Sequence, residues 1–248
     1  TELNAHLSVK VCGRALADLG ASVRFQVVAC EEHNSRLIGS ALDAGKVARD
    51  CDSMVDAKQV FVGFGNPAAV AGTAQDPALL RHRYPNAVVV HLSPFGLTGP
   101  RADEPACDLT LFAASGIAHL LTGQTDVPRV DPPQRAVGEQ SAFIAGLAAA
   151  TAASAALGSH NGALIDVSLQ EALATLAITE LTRAANLGKA RSRRRHGDGN
   201  GATVCTLPCL DGYVAISPRE ERQWHAWLGV MDNPQWAQDP RFERKADR

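Results

Sequence analysis

The chain has 248 residues, 46% hydrophobic and 20% charged, which excludes a disordered tail and gives ample length for a packed core. Twenty-four Lys and Arg against 26 Asp and Glu leave a formal charge of −2, and aromatics are 5%; a generally basic nucleic-acid surface with stacking platforms is excluded. No apolar run reaches the roughly 20 residues of a bilayer span, and residues 1–10 lack a basic stretch followed by an apolar one, so the expected compartment is the cytoplasm with no membrane partner.

Val9, Cys12, Leu16 and Leu19 recur at helical spacing and predict an amphipathic helix that stops at Gly20. Val23 to Ala29 and Gln59 to Gly63 read as short strands, and Pro77 to Tyr84 reads as a helix stopped by Pro85. Ala87 to Leu92 carries Val88, Val89 and Val90, the continuous apolar run of a parallel strand buried on both faces. This alternation predicts an α/β fold with an open parallel sheet flanked by helices. Leu109 to Leu121 is predicted as one helix, and Glu139 to Leu157 as another with small residues on nearly every face. Pro128, Pro132 and Pro133 make the intervening stretch a loop. Ala163 to Val167 is a strand leading into a helix over Ser168 to Asn186, where Ser168 and Glu171 form a capping-box pattern. Residues 1–190 therefore form a large domain, residues 191–201 a glycine-rich linker or lid, and residues 202–248 the start of a smaller α+β domain. That smaller piece carries a strand at Tyr213 to Ser217 and a helix near Gln223 to Val230.

The six cysteines, Cys12, Cys30, Cys51, Cys107, Cys205 and Cys209, show no paired framework, so reduced buried thiols are expected and no metal site. Glu139 opens a helix after a proline-rich loop. Either it is favourable first-turn chemistry, or the helix N-terminus supports a reacting carboxylate there. Asp108 is a natural N-cap for the Leu109 helix. His91 ends the Val-rich strand at the carboxyl edge of the sheet, as a core histidine or a ligand contact. Gly63 and Gly65 form a plain strand-to-loop turn without a dinucleotide fingerprint. Gly197, Gly199 and Gly201 form a lid or a linker, and Arg191 with Arg193 to Arg195 is a solvated or phosphate-facing run.

The stretch VVVHLSPFGLTGPRADEPACDLTLFAASGIAHLLTG resembles the central block of the family III CoA-transferases, the CaiB/BaiF family. The pattern there is S-x-F-G-x-x-G-P, then an acid opening a helix, then A-x-x-G. It falls on Ser93, Phe95, Gly96, Gly99, Pro100, Asp108, Ala113 and Gly116. GALIDVSLQEAL, LADLGASV and the tail from Cys209 to Phe242 resemble further family segments in order.

The resemblance implies a Rossmann-like large domain, a small domain and an interlocked dimer. It implies transfer of coenzyme A from an acyl-CoA to a carboxylic acid, without a metal. A carboxylate would attack the thioester, form a mixed anhydride and release the CoA thiolate. Its position falls on Glu139, where the family usually has aspartate; the extra methylene displaces the carboxylate by roughly 1.5 Å, and about 1 Å of misplacement can cost on the order of 10²-fold in rate. Asp108 matches a second acid lining the site, Gly197, Gly199 and Gly201 match a glycine loop shielding the intermediate from water, and Lys46 matches a basic residue near the CoA region. The family is longer at both ends. Two further readings follow from the resemblance. The assembly expected is a homodimer or a heteromeric pair with a homologous subunit, and one of the two readings is a non-catalytic partner subunit of such a CoA-transferase pair. The other is a 2-methylacyl-CoA racemase, for which Cys107 stands where a histidine belongs.

Overall fold

The computed structural model describes residues 1–25, 33–48, 59–121, 127, 129–132, 136–159, 161–188 and 205–244. They belong to two compact units: Thr1–Thr122 with Pro133–Gly188, and Gly123–Pro132 with Lys189–Arg248.

The first unit is a parallel sheet flanked by helices. Its elements in chain order are α1 (Leu7–Asp18), β1 (Arg24–Phe25), α2 (His33–Asp43), β2 (Val47–Ala48), β3 (Val60–Phe64), α3 (Pro67–Val70), α4 (Pro77–Arg83) and β4 (Val88–Ser93). They are followed by α5 (Asp108–Ala114), α6 (Ile117–Leu121), α7 (Gln140–Leu157), β5 (Ala163–Ser168), α8 (Leu169–Ala174) and α9 (Ile178–Leu187). β4 lies between β3 and β5, parallel to both, and β1 pairs in parallel with β2. Residues Thr1 to Leu3 join these two groups. The Glu2 N–H donates to the Arg24 carbonyl on one side, and the Leu3 N–H to the Val62 carbonyl on the other, both at 2.8 Å.

The Val run does what a doubly buried strand requires. Val88, Val90 and Leu92 of β4 face a core built with Val9, Cys12 and Leu16 of α1 and Ala145, Ala149 and Ala153 of α7. Val89 faces the other way, onto Phe61 and Leu80. The small residues of α7 set how closely α1 approaches: a Cβ on Gly146 would lie 2.7 Å from the Ser8 carbonyl oxygen and 2.7 Å from Val11 Cβ. With 18 residues and no charged side chain, α7 reaches the length and hydropathy of a membrane span, more than expected; its Ala145–Ala153 face is enclosed in this core.

Local chemistry explains the boundaries. α1 ends in a Schellman arrangement, with Gly20 at φ 93°, its N–H bonded to the Ala17 carbonyl and the Ala21 N–H to the Leu16 carbonyl. Asp76 caps α4 through the amides of Ala78 and Leu79, with Pro77 in the first helical position. The helix expected over Leu109 to Leu121 is instead two, α5 and α6, because Gly116 at φ 80° turns the chain between them. The helix expected over Ser168 to Asn186 is α8, a 3₁₀ turn at Thr175–Ala177, then α9. The Ser168 hydroxyl accepts from the Glu171 N–H at 3.2 Å, one of the two bonds of a capping box. Leu19, expected in the α1 stripe, is 75% exposed.

The second unit contains an antiparallel hairpin, β6 (Cys205–Cys209) with β7 (Gly212–Ile216), and α10 (Glu221–Val230). Trp224 of α10 packs near Trp236, whose ring meets Phe242 edge-on at 5.3 Å. The thiols differ from expectation: Cys12 is buried, but Cys107 and Cys209 are exposed.

Candidate active site

The carboxyl ends of β3 and β4 and the N-termini of α5 and α7 share one edge of the sheet. From β4 the chain enters a loop that is tied down at several points. Asp166 of β5 accepts from the Leu97 N–H at 2.9 Å. The Arg101 guanidinium lies 3.9 Å over the Phe95 ring and pairs with Glu104 at 2.7 Å. Asp103 accepts from the Ala68 N–H at 2.7 Å. This loop delivers the chain to Cys107 and Asp108.

Asp108 was expected as N-cap; the structure places Cys107 there and Asp108 as the first helical residue. The Thr110 hydroxyl accepts from the Cys107 N–H at 2.9 Å, closing the cap of α5. The Thr110 backbone N–H, the largest influence, holds the Cys107 thiol below its ordinary pKa. Asp108 is thereby available to another helix. Its Oδ1 accepts from the Ser141 backbone N–H at 2.9 Å and from the Ser141 hydroxyl at 2.7 Å. Both residues are buried, at 7% and 3% exposure.

Glu139 is the N-cap of α7, at φ −96° and ψ 63°, and its exposed side chain makes no capping hydrogen bond. It stands two positions before Ser141, so the Asp108–Ser141 contact brings the chain segments of both expected carboxylates together. Ser141 itself carries no signal in the sequence beyond a small polar residue in a first helical turn.

His91 is 1% exposed; burial lowers its pKa, and its Nε2–H donates to the Gly65 carbonyl at 2.8 Å. It is a satisfied core histidine that ties β4 to the turn after β3. Lys46 lies inside the first unit, where its ammonium pairs with Glu2 at 2.5 Å and donates to the Lys10 carbonyl at 3.0 Å. Its side chain is 0% exposed and that of Glu2 2%. Desolvation, the dominant effect, raises the Glu2 pKa, and Lys46 opposes the rise. Gly197, Gly199 and Gly201, with Arg191 and Arg193 to Arg195, lie outside the described residues. Among the described residues no group of three or more His, Cys, Asp or Glu is arranged to hold a metal ion.

Fold and site together define an α/β protein with two acidic residues at the carboxyl edge of a parallel sheet, where such sheets hold their ligands. The model of CoA-transferase family III matches residues 44–248, and the chain belongs to that family. It is 35% identical over 149 residues to subunit BbsE of the succinyl-CoA:(R)-benzylsuccinate CoA-transferase of Thauera aromatica, covering 58% of this chain and 35% of that one. It is 28% identical over 227 residues to a probable CoA-transferase of Mycobacterium tuberculosis, covering 90% of this chain and 28% of that one. The chain thus spans about a third of the length of these curated relatives. A crystal structure of a CaiB/BaiF family protein from Brucella suis superposes with a TM-score of 0.73 at 22% identity, covering 100% of this chain and 72% of that one. That likeness supports the fold.

Proposed function

We propose that this chain serves an acyl-CoA:carboxylate CoA-transferase in which Glu139 is the acyl acceptor. A Glu139 carboxylate oxygen bonds to the thioester carbonyl carbon. The C–S bond breaks and its electron pair leaves on the CoA sulfur, giving a mixed anhydride and a thiolate with no proton to be moved. The anhydride conserves the activation of the thioester, so a second carboxylic acid can take up CoA without ATP. The observation that carries this reading is the exposed Glu139 at the N-cap of α7, beside the Asp108–Ser141 contact. Positive charge at that helix end favours an anion there and an oxyanion during attack.

The test is incubation with an acyl-CoA and hydroxylamine, then peptide mass spectrometry. A hydroxamate on Glu139 is the expected product. An unmodified Glu139 under saturating acyl-CoA refutes the assignment. Gly197, Gly199 and Gly201 are proposed to shield the anhydride, and their substitution would then raise hydrolysis relative to transfer. Lys46, enclosed with Glu2, serves CoA in this reading only through the framework that it holds.

A second reading has specific support. BbsE is named as a subunit, and Glu139 stands where aspartate is usual, so this chain can be one member of an interlocked pair. Activity that appears only on adding a homologous partner, or only in Glu139→Asp, would assign it that role. The racemase reading predicts deuterium exchange at the 2-position of a 2-methylacyl-CoA.

A further inference from the structure

We propose that Asp108 and Ser141 form a positioning pair, in which the Asp108 carboxylate caps the N-terminus of α7 from another helix and so fixes where Glu139 stands. The inference rests on the reading of Glu139 as the reacting carboxylate and assigns Asp108 a role distinct from proton transfer to substrate.

A helix begins with backbone N–H groups that have no partner inside the helix. An N-cap side chain usually accepts from the second or third of them. In α7 the second helical residue is Ser141, and its N–H goes to Asp108 Oδ1, 33 residues earlier in the chain. The Ser141 hydroxyl donates to the same oxygen, so the cap has two donors on one acceptor. Both bonds are buried, where a charged acceptor forms short, strong hydrogen bonds. Asp108 is in turn held by the first turn of α5, which Cys107 and Thr110 close between themselves. The cap therefore joins two helix starts rather than merely ending one. Any slip of α7 along its axis would stretch both bonds and carry Glu139 with it. A shift of about 1 Å at a reacting group can change a rate by on the order of 10²-fold, so the pair sets catalytic geometry without touching substrate.

The discriminating variants are Asp108→Asn, Asp108→Ala, Ser141→Ala and Ser141→Thr in the full chain, with its partner if one is needed. Asn keeps a carbonyl acceptor for both donors but cannot transfer a proton. Positioning predicts kcat within about threefold of the parent for Asp108→Asn and Ser141→Thr. It predicts a loss of roughly ten- to a hundredfold for Asp108→Ala and Ser141→Ala, with the acyl-CoA KM nearly unchanged. Equal loss in Asp108→Asn and Asp108→Ala, with α7 undisturbed, would overturn it and make Asp108 a group that acts on substrate. Hydrogen exchange at the amides of the first α7 turn supplies a readout that needs no turnover. Exchange should rise in both Ala variants and hold in the Asn and Thr variants. Unchanged protection in Ser141→Ala and Asp108→Ala overturns the pairing. If Glu139→Gln retains full activity while the exchange pattern appears, the assignment of Glu139 fails and the cap stands on its own.

Discussion

Replacing Lys46 by methionine removes one charge from a cluster inside the first unit, in which Lys46 pairs with Glu2 at 2.5 Å and lies 3.8 Å from Asp43. The ammonium is 0% exposed and its partner carboxylate 2%. A Cβ on Gly13 would overlap the Glu2 carboxylate, so α1 approaches that carboxylate closely at this point. Leaving one member of a buried pair uncompensated costs about 3–5 kcal/mol. For a chain of this size each kcal/mol moves the melting temperature by about 2–4 °C, so Lys46→Met should lower it by about 6–20 °C. The double variant Glu2→Leu/Lys46→Met removes both of these charges and leaves Asp43 with its Lys10 bridge at 2.5 Å but without Lys46 at 3.8 Å, so it should recover part of the loss. The pH dependence has a definite sign. The folded-state pKa of Glu2 is raised above its ordinary 4.5 by burial, and loss of Lys46 raises it further. The stability conferred by neutral Glu2 is complete below 4.5 and is lost as pH rises through the raised folded value. The deficit of Lys46→Met against the parent should therefore be full near neutrality and shrink as the pH falls. Thermal melts followed by circular dichroism across that range measure it. A melting temperature within 2 °C of the parent, with weaker acyl-CoA binding instead, would refute the reasoning and make Lys46 a ligand contact.

Three further outcomes are expected. Gly146→Ala drives a methyl into the Ser8 carbonyl and Val11, and urea titration should show a net loss of about 1–2 kcal/mol despite the helix preference for alanine. Ser93→Ala should be neutral or stabilising by about 1 kcal/mol in the same assay, because the fully buried Ser93 hydroxyl has no hydrogen-bond partner among the described residues. Iodoacetamide at pH 7.5 (roughly neutral, where thiolate fraction decides the rate) should label Cys107 well before Cys12. The first is exposed with a lowered pKa; the second is fully buried with its pKa pushed up to about 12. Peptide mapping reads the order, and faster labelling of Cys12 in the folded chain would contradict the packing of α1.

Local patterns carried most of the framework. The Val88–Val90 run could only be satisfied by burial on both faces, and Gly20 marked the end of α1 because it alone tolerates the left-handed turn there cheaply. The breaks at Gly116 and at Thr175–Ala177 were hidden because apolar spacing continues across them while the backbone does not. Glu139 and Asp108 stood out as acids at helix starts. That Asp108 serves α7 rather than its own helix depends on how two helices meet, which no short-range spacing encodes. Lys46 is the clearest case of this kind: its motif resembled a ligand-side residue, but its charge is committed to Glu2, 44 positions away.

The tight crossing of α1 and α7 has a consequence for biosynthesis. Val9, Cys12 and Leu16 leave the ribosome well before the alanine face that covers them, which is contributed by residues 145–153. At about 5–20 residues per second, the wait for roughly 130 more residues is on the order of 7–26 s. Throughout that interval the apolar stripe of α1 is a target for chaperones and for neighbouring nascent chains. Slowing elongation between the two helices should therefore lower soluble yield without altering the folded product.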